Sequence, residues 1–169
     1  DARNKDMQLR LNLKIKFRES FRPFAPSVLM EDLTEYFDTD RPSPYMLLIA
    51  DVVESRRNPH PEGYHEMPVK DKLYTVRSDV PAITHLDYTA RLQTVHRETN
   101  PLYWMLLNAF KEQTGCGVIV NTSFNVRGEP IVCTPEDAYR CFMRTNMDVL
   151  VVNRFVFRKE NQPPWREER

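Results

Sequence analysis

Gly117-Val118-Ile119-Val120-Asn121-Thr122-Ser123-Phe124-Asn125 changes character once, from an apolar run to a polar one that holds a single phenylalanine. The apolar half has the length and β-branching of a short buried strand. A strand that runs into a polar loop at its carboxyl end, with a helix beyond, is how α/β folds present ligand-binding groups. Thr134-Pro135-Glu136-Asp137 supplies the helix start. It offers an N-cap, a proline at the first helical position and two acids that complement the macrodipole, and it predicts a helix to about Thr145. Ser123 and Asn125 can donate to an oxyanion, a carboxylate or a phosphate, while Asn121 can hold the turn or read a ligand edge. An Asx or Ser/Thr turn without a ligand uses the same residues.

The pattern continues on both sides. Upstream, Pro101 to Gln113 reads as a helix with an apolar stripe of Leu102, Leu106, Ala109 and Phe110, closed by Thr114-Gly115. Val80 to Asp87 and Ala90 to Val95 have strand character, and residues 54 to 80, with Pro59, Pro61, Gly63 and Pro68, form a long irregular excursion. Tyr45 to Val53 is a nearly unbroken apolar run, expected as a central buried strand. Pro23 and Pro26 forbid a helix from Arg22 to Ser27, leaving a short strand at Val28 to Met30 and a helix at Glu31 to Phe37. Met7, Leu11 and Ile15 repeat at helical spacing, and the chain is expected to turn extended near Lys14. Downstream, Asp148 to Asn153 and Arg154 to Arg158 read as strands with Phe155 and Phe157 in the core. The sum is an α/β chain of the mixed, α+β kind: one domain over 1–158, then a polar tail at 159–169.

Composition narrows the function. The 169 residues carry 24 basic and 24 acidic side chains, a net charge of zero that disfavours nucleic acid as a partner. Four glycines and thirteen prolines speak for stiff connections over glycine-cradled phosphate loops. Three cysteines without a C-x-x-C pair encode neither a disulfide framework nor a zinc knuckle, which fits a reducing compartment. No apolar window is long enough to span a membrane, and no secretion signal opens the chain, so a cytoplasmic location is expected. The first residue is not methionine, and the chain reads as a fragment of a longer protein.

Cations cluster before Pro23. If the chain is extended there, Lys14, Lys16 and Arg18 share one face, and Arg22 lies one turn further on. Lys16, Arg18 and Arg22 can then converge on a polyphosphate, which needs point charges and forked donors together. A solvated basic face paired with the acidic run Glu31 to Asp40 fits equally simple chemistry. Arg91 and Gln93 flank Leu92 on one strand face, aimed either into the crevice or into an edge salt bridge. His60, Glu62, His65 and Glu66 match no zinc signature, and no metal ligands are assigned.

Three stretches together resemble the carboxy-terminal domain of NodU/CmcH-type O-carbamoyltransferases. They are Lys16-Phe17-Arg18-Glu19-Ser20-Phe21-Arg22-Pro23-Phe24-Ala25-Pro26-Ser27, Arg91-Leu92-Gln93-Thr94-Val95, and Asn121 to Asn125 with Gly128-Glu129-Pro130-Ile131-Val132 and Thr134 to Ala138. The resemblance implies a YrdC-like twisted sheet with flanking helices around a basic cavity. It implies that carbamoyl phosphate and ATP, with Mg2+ expected on the triphosphate, are joined into carbamoyl adenylate. An amino-terminal transferase domain would then pass the carbamoyl group to a hydroxyl acceptor. By the same resemblance Lys16, Arg22, Arg91 and Ser123 are catalytic, and Arg18, Asn121, Thr122 and Asn125 bind substrate or nucleotide. Lys16-x-Arg18 and Ser123-x-Asn125 match the K-x-R and S-x-N pairs of the wider fold, and Arg18 and Arg22 compete for the main phosphate contact.

These residue types suit the reaction. Two anions approach each other only when their repulsion is screened, and fixed cations in a dry cavity do this better than water. A carbamate oxygen can attack phosphorus itself, so positioning and charge stabilisation replace a side-chain nucleophile. A non-catalytic module of the same fold, holding a nucleotide or RNA, is the alternative from a different class, and a structural lid for the missing domain is a third.

Overall fold

The computed structural model describes residues 1–165. The chain divides into two compact units, Asp1–Gln8 with Pro23–Thr122, and Leu9–Arg22 with Ser123–Arg169, the latter described to residue 165. It passes from the first to the second along helix α1 (Met7–Leu11). The fold is α+β, with helices and small mixed sheets.

The first unit is built on strand β1 (Ala25–Leu29), buried at every position. A proline inside a central strand removes a ladder donor, and the register shows how Pro26 is accommodated. Pairing with the parallel neighbour begins only at Ser27, opposite Gln93. The strand therefore starts at Ala25, earlier than the expected Val28, and ends one residue before Met30. A 3-10 turn at Met30–Asp32 leads into α2 (Leu33–Tyr36), where a helix was expected.

The run at Tyr45 to Val53 is not a central strand. Only β2 (Ile49–Asp51) is extended, and it lies in a separate two-stranded sheet with Ile49 62% exposed. Met46, in the left-handed region at φ 56°, interrupts the extension that the apolar run suggested. The excursion that follows contains two 3-10 turns, Glu54–Arg56 and Tyr64–Glu66, and the short helix α3 (Val69–Tyr74). Val80 to Asp87 is a set of turns. Pro81 disrupts a ladder there, and Ser78 Oγ and Thr84 Oγ1 meet at 2.7 Å while Thr84 Oγ1 also donates to the Val80 carbonyl. Val80 and Ile83 reach the core from these turns.

Strands β3 (Thr89–Arg91) and β4 (Gln93–Val95) diverge at buried Leu92, β3 pairing with β2 and β4 with β1. Helix α4 (Pro101–Thr114) occupies the expected span and closes on left-handed Gly115. Its inward face is formed by Tyr103, Trp104, Leu107 and Phe110, whereas Leu102 and Leu106 of the expected stripe face outward. Strand β5 (Val118–Asn121) completes the sheet in the order β4-β1-β5, antiparallel to β1.

In the second unit α1 does not turn extended at Lys14. It widens into a π-helical turn over Asn12–Lys16 and stops at Phe17, which is left-handed at φ 49°. The row of Lys14, Lys16 and Arg18 on one extended face therefore does not exist. Helix α5 (Pro135–Arg144) begins as expected with Thr134 as N-cap and Pro135 first, and Asp137 adds a capping box with Thr134. Strands β6 (Val149–Val152) and β7 (Phe155–Arg158) form a hairpin whose Leu150 and Phe157 pack on Ala138 and Phe142 of α5. Phe155, expected in the core, is exposed. The expected tail opens with a 3-10 turn at Lys159–Asn161, and its last four residues lie outside the described part.

Candidate functional site

The π-turn carries Lys16 into the interior of the second unit, where only 4% of it is exposed. Its Nζ donates to four oxygens: the Ser123 carbonyl at 2.5 Å, Ser123 Oγ at 3.1 Å, the Asn125 carbonyl at 2.9 Å and Asn125 Oδ1 at 2.8 Å. Ser123 Oγ also donates to Asn125 Oδ1 at 2.7 Å, and Asn125 Nδ2 donates to the Glu129 carbonyl at 2.8 Å. An ammonium has three N–H bonds, so four acceptors share them. All four acceptors are neutral, which leaves the positive charge uncompensated by these partners. Burial above all, then neighbouring Arg18, holds the Lys16 ammonium below its ordinary value, with Cys141 opposing.

Arg18 is positioned by Asn12, a fully buried residue of the same π-turn. Arg18 Nε donates to Asn12 Oδ1 at 2.6 Å, and Asn12 Nδ2 donates to the carbonyls of Ser20 at 3.1 Å and Arg22 at 2.8 Å. The Asn12 carbonyl accepts from the backbone of both Phe17 and Arg18. One amide thus fixes the guanidinium of Arg18 and the course of the loop that bears Arg22. Burial, followed by the charge of Arg22, holds the Arg18 guanidinium below its ordinary value, and Glu19 opposes this. The Glu19 carboxylate lies 4.0 Å from Arg22 Nη1 and 3.6 Å from Arg127 Nη1. Cations here already gather an internal anion.

Arg91, Asn121 and Thr122 belong to the first unit. Asn121 ends β5, and its Nδ2 donates to Gln93 Oε1. Ser27 Oγ donates to the same Gln93 oxygen at 2.7 Å and accepts from Tyr103 OH at 2.8 Å. Gln93 Nε2 donates to the Pro44 carbonyl at 3.3 Å. A chain of hydrogen bonds across β4, β1 and β5 therefore orients the Asn121 amide. Arg91 ends β3 in register with Ile49 and is exposed, while Gln93 is half-buried on the next strand. Thr122 is half-buried.

The structure thus joins Lys16 to Ser123 and Asn125 and sets Arg18 beside it, with Arg22 on the loop that Asn12 anchors. Asn12 went unread in the sequence. The available signal was a polar amide in a segment otherwise spaced for a buried face. A cavity of about 200 Å³ adjoins the loop after Asn125, lined among others by Glu129, Val132, Cys141 and Arg144. Arg144 donates to Glu129 there at 2.5 Å. The cysteines are free. Among the described residues no cluster of three His, Cys, Asp or Glu is arranged for a metal ion, and no helix is long and apolar enough to cross a membrane.

The family model for the carbamoyltransferase C-terminus matches residues 1–159. The chain belongs to that family. Among its relatives, the protein sll1178 of Synechocystis is 60% identical across 99% of this chain and 28% of its own length. Nodulation protein NolO of Bradyrhizobium diazoefficiens is 44% identical across 94% of this chain and 25% of its own. The 3'-hydroxymethylcephem-O-carbamoyltransferase of Amycolatopsis lactamdurans is 37% identical across 89% and 25%. This carbamoyltransferase domain therefore spans about a quarter of the length of these relatives.

Proposed function

We propose that this domain forms carbamoyl adenylate from carbamoyl phosphate and ATP, as one half-reaction of an O-carbamoyltransferase acting on a hydroxyl acceptor. The observation that supports it most is the meeting of the two motif pairs, with buried Lys16 bound to Ser123 and Asn125 and flanked by Arg18. Carbamoyl phosphate takes up water to release carbamate and inorganic phosphate. A carbamate oxygen then attacks the α-phosphorus of ATP, and the new O–P bond forms as the bond to the pyrophosphate oxygen breaks. Mg2+ enters as part of the ATP substrate.

Lys16, whose four hydrogen-bond acceptors are neutral, supplies a positive point charge, and Arg18 and Arg22 supply forked donors for phosphate oxygens. Ser123 and Asn125 orient the carbamoyl end. Arg91 adds a phosphate contact, and Asn121 and Thr122 hold the nucleotide. The relative named for O-carbamoyl transfer to 3'-hydroxymethylcephem motivates a hydroxyl as the final acceptor. The proposed dependence on ATP supports a cytoplasmic location.

The test is mass detection of carbamoyl adenylate after incubation with ATP and carbamoyl phosphate. Lys16→Ala and Arg91→Ala are each expected to keep a native circular dichroism spectrum and to lose about 10²- to 10³-fold in rate. Turnover at the wild-type rate in both variants defeats the assignment. Binding of ATP without any adenylate favours a nucleotide-binding module instead.

A further inference from the structure

Helix α4 is apolar on two faces. A surface helix of a soluble domain carries one apolar stripe toward its core and polar groups opposite. Here the stripe formed by Tyr103, Trp104, Leu107 and Phe110 is packed, yet Leu102, Met105 and Leu106 point outward at 76%, 60% and 59% exposure. With Ala109 they occupy positions i, i+3, i+4 and i+7, a continuous strip along the helix. A contiguous exposed strip of large apolar side chains marks an interaction surface.

The occupant follows from the entry point of the chain. The relatives are about four times as long as this domain, which is the C-terminus of the family, so the rest of such a protein precedes residue 1. Residue 2 is anchored: Ala2 is fully buried in the core, and its carbonyl accepts from Ala82 N at 3.1 Å. Arg3 Nη1 donates at 2.9 Å to the carbonyl of Thr114, the last residue of α4. A polypeptide arriving at Asp1 therefore reaches this domain beside the carboxyl end of α4. Leu106 is eight residues back from Thr114, about 12 Å along the axis.

We propose that the outward strip of α4, Leu102, Met105, Leu106 and Ala109, is the docking surface for the amino-terminal portion that carbamoyltransferases of this family carry. The surface stands on the packing of α4 and on family membership, and it does not depend on adenylate chemistry.

Met105 is a built-in probe, because thioethers react readily with hydroxyl radicals when water reaches them. The experiment compares radical labelling of this chain alone with labelling of the chain joined to the amino-terminal portion of the Synechocystis relative, in place of that protein's own matching segment. Labelling of Met105 and Leu106 is expected to fall about 5-fold or more in the joined protein, as water leaves an interface core, while Tyr45 labels equally in both. Leu106→Asp in the joined protein is expected to restore Met105 labelling; should that variant misfold, Leu106→Gln is read in its place. Equal labelling of Met105 in the two proteins overturns the proposal. So does protection of Tyr45 in place of Met105, or protection of Met105 in the isolated chain that grows with concentration, which assigns the strip to a second copy.

Discussion

Lys16 takes its charge to a place that water barely reaches, and its four hydrogen-bond acceptors are neutral. Because burial holds its ammonium below the ordinary 10.5, the unfolded chain binds that proton more tightly than the folded one. The cost of the buried charge is therefore complete below the lowered value and is relieved as pH rises through it toward 10.5. Measured against Lys16→Met, wild-type stability in urea is expected to rise over this alkaline window, and a flat difference removes the desolvation account. Asn12 gives a second expectation. Asn12→Ala strips hydrogen bonds from the Ser20 and Arg22 carbonyls and from Arg18, and a loss of about 1–3 kcal/mol in urea melts is expected. Stability unchanged in Asn12→Ala means that water replaces the amide at no cost. The K-x-R and S-x-N pairs single out Lys16, Arg18, Ser123 and Asn125 in the sequence, and the structure brings Lys16 onto Ser123 and Asn125. Asn12 stands out in the sequence only as a polar amide on a buried spacing, because its role lies in the π-turn, whose i→i+5 hydrogen bonds no spacing rule encodes.

At the level of elements, legibility followed local chemistry. The N-cap and first-position proline at Thr134-Pro135 and the glycine stop at Gly115 are written in adjacent residues, and those helix ends were readable. The apolar run at Tyr45 to Val53 misled because hydrophobicity reports affinity for a core and not access to one, and Met46 bends the chain away. The α4 stripe misled for a related reason: with apolar residues on both faces, period alone cannot say which is inward. Gly117, the residue before β5, shows a requirement that no pattern displays. A Cβ there falls 2.5 Å from Asp32 Oδ2, a buried carboxylate whose other oxygen accepts from Lys111 Nζ at 2.7 Å. The Gly117 amide also donates at 3.0 Å to Tyr36 OH, whose phenol burial pushes up to about 12. Gly117→Ala forces this packed corner apart, with an expected loss of about 1–3 kcal/mol in thermal or urea unfolding. Wild-type stability in that variant requires Asp32 to have another place to go.

For the whole molecule, family membership and the α+β class were accessible because the motifs are dense in sequence, while the division into two units was not. Nothing in composition marks Arg22 and Thr122 as boundaries, since each falls inside a motif read as continuous. The first unit has all its residues once Thr122 is made, whereas the second owns an early segment, Leu9–Arg22, and everything after Thr122. On the ribosome, Lys16 therefore emerges 107 residues ahead of Ser123 and 109 ahead of Asn125. Lys16 and its acceptors therefore cannot meet until the Ser123–Asn125 loop has been made. A chain interrupted between Thr122 and Ser123 holds every strand of the three-stranded sheet and still lacks the loop that receives Lys16.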